Sequence, residues 1–272
     1  MLVVCMGKTF AGEKITVRVA GETDLEKWNA FVDSHEHGSF FHCFEFGKII
    51  QKSYPNMEMR YIVAEQAGKI AGIMPCFMAK YLFFDLLMSM PLAYPKGMTG
   101  GPLSSGAEAE KKLLEKFAEL SEGCAEATVT LGCGRAIPAL ERLGFTKRRA
   151  ETLAVDVSEG FDAAFRGFQK KTRQKIRKAE RDGIRIAEAD AAEDIDVYYE
   201  MYLQTMGRVE GGTTLPKEFF GLFFSELREK GLARIFFTEH DGKKIGGAIL
   251  AFRKPAKSAY YFLGVSDSSS IY

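Results

Sequence analysis

Hydrophobic and polar positions along the chain switch between a period of two, expected of strands, and a period of three to four, expected of helices. KITVRVA alternates as a strand. TDLEKWNAFVDSH then sets Leu25, Trp28, Ala30, Phe31 and Val32 on a broad apolar helical face, with Thr23 or Asp24 as its cap. A second short helix, HCFEFGKIIQKSY, stops at Pro55, which cannot continue it. MRYIVAEQ, a turn at Ala67-Gly68 and KIAGIMPCFMAKY predict a hairpin, with LFFDLLMSMPL as a third strand. A helix over 107–122, the strand ATVTLG and a short helix from Ala136 to Leu143 follow, and then LGFTKRRAETLAVDV.

The second half repeats that order. FDAAFRGFQKKTRQKIRKAERDG reads as helical, IRIAEA as a strand, and AEDIDVYYEMYLQTMGR and LPKEFFGLFFSELREKG as two helices. LARIFFTEH, DGKKIGGAILAFRK and KSAYYFLGVSD then form a meander about turns at Asp241-Gly242 and Lys254-Pro255. VAEQAGKIAGIMPCF and FTEHDGKKIGGAILAF run in parallel: strand, turn, then a glycine-containing strand. The expectation is an α/β (α+β) protein of two similar units, 1–157 and 158–272, with mixed, largely antiparallel sheets. The second unit, ending at Tyr272 with no further helix and strand, reads as truncated at its C-terminus.

Composition narrows the function classes. Lys plus Arg is 37 against 36 Asp plus Glu, so no global excess of charge favours a nucleic-acid coat or a polybasic anchor. Any electrostatic argument is local. The five cysteines (Cys5, Cys43, Cys76, Cys124, Cys133) include no CxxC pair, which fits a reducing cytoplasm better than a disulfide framework. MLVVCMGKTF lacks the basic start of a signal peptide. The most apolar run, YLFFDLLMSMPLAYP, is broken by Asp85 and Pro91, short of the roughly 20 residues that span a bilayer. A soluble protein is expected.

One charge cluster stands out. Between Arg166 and Arg185 nine cations, among them Lys170, Lys171, Arg173, Arg177 and Arg181, face only two acids, Glu180 and Asp182. Phe165, Phe168, Thr172, Ile176 and Ala179 recur at helical steps and leave the rest of the surface basic. So few acids leave little i,i+4 pairing. The helix suits a polyanion, such as a tRNA backbone, a nucleotide-linked sugar or coenzyme A, bound in a salt-sensitive way; the alternative is a solvated helix face. His35, His37 and His42 sit beside Gly38 with no Cys or carboxylate cluster, so loop and cap roles are expected and no metal. Met98-Thr99-Gly100-Gly101-Pro102 and Gly246-Gly247 fit no phosphate-binding fingerprint; a turn and a close strand contact suffice. No Ser-His-Asp or Cys-His arrangement is legible.

The order strand, helices, antiparallel meander, helix, strand is the grammar of the GNAT acyltransferase fold, here in tandem. WNAFVDSHEHGSFFHCFEFGKII, AGKIAGIMPCF, SMPLAYPKGMTGGPL, FQKKTRQKIRKAERDGIRI, YYEMYLQTMGR, LPKEFF and YYFLGVSD, in that order, resemble the Fem family, tandem-GNAT aminoacyltransferases of the peptidoglycan bridge. The resemblance covers nearly the whole chain. It implies transfer of an aminoacyl group from aminoacyl-tRNA to an amine of a nucleotide-linked or lipid-linked cell-wall precursor, with no resident cofactor. It also implies that Lys48 and Arg208 contact the acceptor's phosphates, for which a guanidinium's paired donors are suited. Tyr260 and Tyr261 alternate across a strand, and Tyr261 is the choice for a substrate hydroxyl contact. Two departures are visible: Gly183 follows the basic helix directly, so the long helical arm of some members is absent, and the part beyond the last meander strand is missing. An acyl-coenzyme A-dependent N-acyltransferase, or a non-catalytic polyanion-binding module, are the alternatives.

Overall fold

The computed structural model describes residues 14–91, 99–132, 134–149, 151–209, 215–253 and 258–267. The expected turn at Lys254-Pro255, and Cys5, Met98, Cys133, Gly211, Gly212 and Tyr272, lie outside them. In chain order, β1 (Thr16–Val19), α1 (Leu25–Ser34) and α2 (Phe44–Ser53) are followed by five strands: β2 (Met57–Met59), β3 (Ile62–Gln66), β4 (Lys69–Met74), β5 (Phe77–Lys80) and β6 (Asp85–Met88). Then come β7 (Leu103–Ser104), α3 (Ala107–Leu120), β8 (Glu126–Thr128) and α4 (Pro138–Arg142). The second half holds α5 (Phe161–Gly167), α6 (Lys170–Arg181), β9 (Arg185–Glu188), α7 (Asp194–Arg208) and α8 (Lys217–Leu222), the last continued by a π-helical turn over Phe223–Leu227. β10 (Ala233–His240), β11 (Lys243–Arg253) and β12 (Ser258–Ser266) complete it.

These elements form two compact units. The first gathers the described residues of Met1–Phe44, Asn56–Pro91 and Thr99–Lys147; the second gathers those of Glu45–Pro55 and Arg148–Tyr272. Nearly all of α2, though early in the sequence, therefore belongs to the second unit.

In the first unit, α3 lays Leu113, Leu114 and Phe117 on Ile62, Ala64 and Met74 of β3 and β4. Elsewhere in this unit Trp28 stacks on Tyr61 at 4.8 Å, and its Nε1 donates to the His42 carbonyl at 2.7 Å. The expected three-stranded meander is instead divided between two sheets, β1-β3-β4-β7 and β2-β5-β6-β8. KIAGIMPCFMAKY breaks at Pro75-Cys76, where proline withholds a ladder donor, and its two pieces enter different sheets. Two further readings need correction. Ala30 is exposed, because Trp28 and Val32, four residues apart, define the buried stripe of α1. Asp24 makes no side-chain cap to α1; its carboxylate accepts from the Gly21 amide and from both terminal nitrogens of Arg18.

In the second unit the sheet runs β12-β11-β10-β9, all antiparallel neighbours. Tyr198 and Tyr202 of α7, Phe219 and Phe220 of α8 and Phe223 of the π turn are buried. The Tyr198 hydroxyl donates to the Leu263 carbonyl of β12 at 2.9 Å. Phe46 of α2 joins the same core, edge-on to Phe219 and Phe262 at 6.5 and 6.0 Å. Ion pairs tie down both ends of α2, Glu45 to Lys230 at 2.8 Å and Lys52 to Glu226 at 2.6 Å. The basic segment is two helices rather than one: Phe168 and Gln169 are extended, at ψ 151 and 147. Gly167, a weak helix former, precedes the break.

Each unit repeats one local design. Ala67-Gly68 and Asp241-Gly242 both have positive φ at both turn positions, as a type I′ hairpin turn requires. Each register then slips three residues past the turn glycine, so Ala71 and Ile245 are the extra residues and Gly72 and Gly246 follow them. An added Cβ at Gly72 would stand 2.9 Å from Leu113 and 3.1 Å from the Leu103 carbonyl; at Gly246 it would stand 3.1 Å from the Val265 carbonyl. The paired phrases of the sequence are thus paired structures, down to the bulge.

Candidate functional site

The residues singled out for substrate contact all belong to the second unit, on elements that meet at β12. Arg208 closes α7, where a cation complements the helix dipole. Its Nη2 donates to the carbonyl and hydroxyl of Ser266 on β12, at 2.8 and 2.7 Å, and to Thr205 Oγ1 at 3.2 Å. Thr205 Oγ1 in turn accepts from the Ser266 amide at 3.0 Å and donates to the Met201 carbonyl at 2.8 Å. The guanidinium is exposed yet pinned, since one terminal nitrogen is fixed to a strand end. The Thr-x-x-Arg spacing places both side chains on one helical face. Ser266 was not legible as their partner because it lies 58 residues on.

Tyr261 sits on β12 beside a bulge. Ile249 pairs with Leu263 and Leu250 with Tyr261, which leaves Phe262 as the extra, buried residue and Tyr261 69% exposed. The Tyr261 ring covers Gly264: a Cβ built there would stand 1.7 Å from its hydroxyl oxygen. The glycine gives the ring a floor, and no pattern of alternation reveals it. Lys48 is half-buried on α2, two residues beyond the buried Phe46 that packs on Phe262.

The polyanion candidates separate by environment. Lys170, Lys171, Arg177 and Arg181 are exposed on α6. Arg177 lies over the Phe165 ring at 5.5 Å. Arg173 turns inward, its Nη1 donating to the carbonyls of Arg166, at 3.0 Å, and Phe168, so it closes the C-terminal end of α5. That accounts structurally for one of the five cations. No residue of α5 or α6 is fully buried.

Other chemistry-bearing groups have structural work. Asp194 is nearly buried at the start of α7. Burial pushes its carboxyl up, but hydrogen bonds from Lys244 and from the Ala191 and Asp190 amides prevail and hold it below the usual carboxylate value. His42 is buried between Ser39 Oγ and the Gly101 carbonyl, at 2.7 and 3.0 Å. His35 Nε2 bonds the Ser104 carbonyl at 3.1 Å, and burial lowers its pKa. Among the described residues no group of three His, Cys, Asp or Glu is placed to hold a metal ion. Burial pushes the Cys76 thiol well up, which makes it inert. Gly100 and Gly101 both donate to the Thr130 carbonyl, and a Cβ on Gly100 would stand 2.3 Å from the Ser89 carbonyl, so this glycine pair serves close packing. Among the described residues no helix is long and apolar enough to cross a membrane.

Comparison with known proteins agrees with this architecture. Residues 166–270 match the acetyltransferase (GNAT) domain family. A UDP-N-acetylmuramoylpentapeptide-lysine N(6)-alanyltransferase from Weissella viridescens is 29% identical over 105 residues, a stretch that is 39% of this chain and 30% of that protein's length. The crystal structure of FemX superposes over 93% of this chain and 81% of its own, with a TM-score of 0.67 at 16% identity. The C-terminal domain (DUF2156) of a putative lysylphosphatidylglycerol synthetase from Agrobacterium fabrum covers 92% of this chain and 70% of its own, at TM-score 0.51 and 12% identity. With the duplicated hairpins, the fold of this chain is similar to that of FemX, and its second unit matches the GNAT domain.

Proposed function

We propose that this protein transfers an aminoacyl group to an amine of a cell-wall precursor, with aminoacyl-tRNA as the donor. The observation that carries the reading is the alanyltransferase match, set beside a pinned arginine and an exposed tyrosine on either side of the β12 bulge. In such a reaction the acceptor amine attacks the ester carbonyl, the bond to the ribose oxygen breaks and an amide forms. The amine loses a proton and the ribose oxygen gains one. The ester is already activated, so no protein nucleophile is needed. Positioning the two substrates and stabilising the developing oxyanion suffice.

In this reading Arg208 and Lys48 engage the acceptor's phosphates and Tyr261 orients the acceptor. Lys170, Lys171, Arg177 and Arg181, with Arg173 setting the angle between the two helices, draw in the donor. The acceptor is nucleotide-linked or lipid-linked, the donor is a substrate rather than a resident cofactor, and the setting is the cytoplasm. The GNAT match over 166–270 supports a second reading, acyl transfer from acyl-coenzyme A through the same unit.

The deciding experiment incubates the protein with a UDP-linked muropeptide and either alanyl-tRNA or acetyl-coenzyme A, and weighs the muropeptide by mass spectrometry. Alanine added only with alanyl-tRNA supports the first reading; an acetyl group added selects the second; no product with either sinks both. On the first reading Arg208→Ala weakens muropeptide binding roughly ten-fold by calorimetry, the scale of one hydrogen bond to a charged group. Unchanged affinity would remove Arg208 from the acceptor site.

A further inference from the structure

We propose that the tip of the β5–β6 hairpin, Tyr81–Phe84, inserts into the surface of a lipid bilayer. β5 and β6 pair up to Lys80 opposite Asp85, and the Tyr81 amide then donates to the Phe84 carbonyl at 3.0 Å. Leu82 and Phe83 form the apex and are 88% and 89% exposed. The rings of Tyr81 and Phe84 stack below them at 5.0 Å and 27°, so the tip is braced on itself.

The turn does not require this composition. Neither Leu82 nor Phe83 has positive φ, so small polar turn residues would fit the same backbone. Solubility would favour them as well. Four consecutive large apolar side chains at a protruding point therefore mark an interaction surface.

Area and shape decide what kind of surface it meets. Two apex side chains and two half-covered rings offer about 500 Å², since an aromatic side chain buries roughly 150–250 Å². A stable protein interface buries about 800 Å² on each partner. A convex point also needs a preformed pocket in a protein partner, whereas a bilayer needs none. The collar carries both signs: Lys80 faces Asp85 across the ladder and pairs with Glu58 at 3.3 Å. That balance matches zwitterionic headgroups and gives no pull toward polyanions. With the Tyr81 hydroxyl on a shoulder and the wholly apolar Leu82 and Phe83 at the apex, the tip follows the depth profile of an interfacial anchor, its polar handle near the headgroups and its apolar side chains deeper. The inference is independent of the acyl-transfer reading.

The test is co-sedimentation with neutral phosphatidylcholine vesicles at about millimolar lipid, in about 0.5 M salt so that the cations of α6 are screened. The protein is expected to sediment with the vesicles, and Leu82→Asp/Phe83→Asp to lower its partitioning roughly ten-fold or more. The tip is exposed, so the double variant keeps its circular dichroism and melting curve. As a second measurement, Phe83→Trp fluorescence is quenched by brominated lipid, while Trp28, the sole native tryptophan and fully buried, is not. Three results overturn the proposal: a wild-type protein that stays in the supernatant, a double variant that binds equally well, or self-association that depends on the tip with no vesicle binding.

Discussion

At the residue scale, Gly264 and Tyr261 form one object. The phenol lies where a side chain at 264 would be, so the glycine sets where the hydroxyl points. Gly264→Ala is expected to push the ring aside at little thermodynamic cost, because the displaced group is exposed and turns about its own torsions. If Tyr261 orients the acceptor, that variant loses turnover as Tyr261→Phe does, with melting temperature kept within a few degrees. Full activity in both would free Tyr261 from the role. The sequence could show that Tyr260 and Tyr261 face opposite sides of the strand, but not which one is exposed, the bulge or the glycine floor. Those depend on pairing with Ile249 and Leu250, which no local pattern records.

At the element scale, the two hairpins were legible because Ala67-Gly68 and Asp241-Gly242 are chemically suited to left-handed turn positions. The break in the basic segment is not legible, because the apolar stripe runs through Phe165, Phe168 and Thr172 without losing phase. The break is set by Gly167 and by Arg173 bonding back to carbonyls at the end of α5. A different contact anchors α7. Asp194 accepts from Lys244 and two amides, and Lys244 lies over the Phe237 ring at 4.3 Å. Asp194→Asn should cost about 1.5–3 kcal/mol by denaturant titration, the worth of a charge-assisted hydrogen bond. Because the folded carboxyl sits below its unfolded value, its contribution is complete above the ordinary Asp value of 3.8. It is lost as pH falls through the folded value. The acid limb of the wild-type stability curve should therefore flatten in the variant; an unchanged limb would show the pair contributes nothing.

At the scale of the whole molecule, duplication was readable because both halves carry the same succession of periods. The division of the first meander between two sheets was not, since it turns on one proline within an otherwise uninterrupted strand pattern. Within the second unit every described residue of 151–162 is exposed, Leu153 at 98%, and the boundary expected at 157/158 falls within that stretch, past the division at Lys147/Arg148. Limited proteolysis is expected to cut there first, as exposed chain with few contacts is where nicking concentrates. First cleavage elsewhere, mapped by mass spectrometry, would move the boundary.

The placement of α2 has a consequence for biosynthesis. Phe46, Ile49 and Ile50 are completely enclosed in the folded protein, yet Phe219 and Phe262, which close around Phe46, are made long after it. Phe219 follows Phe46 by 173 positions, and at about 5–20 residues per second the ribosome needs roughly 10–35 s to reach it. For that interval a newly emerged greasy helix has nowhere of its own to dock. Translation order thus obliges this helix to wait for the remainder of its own unit.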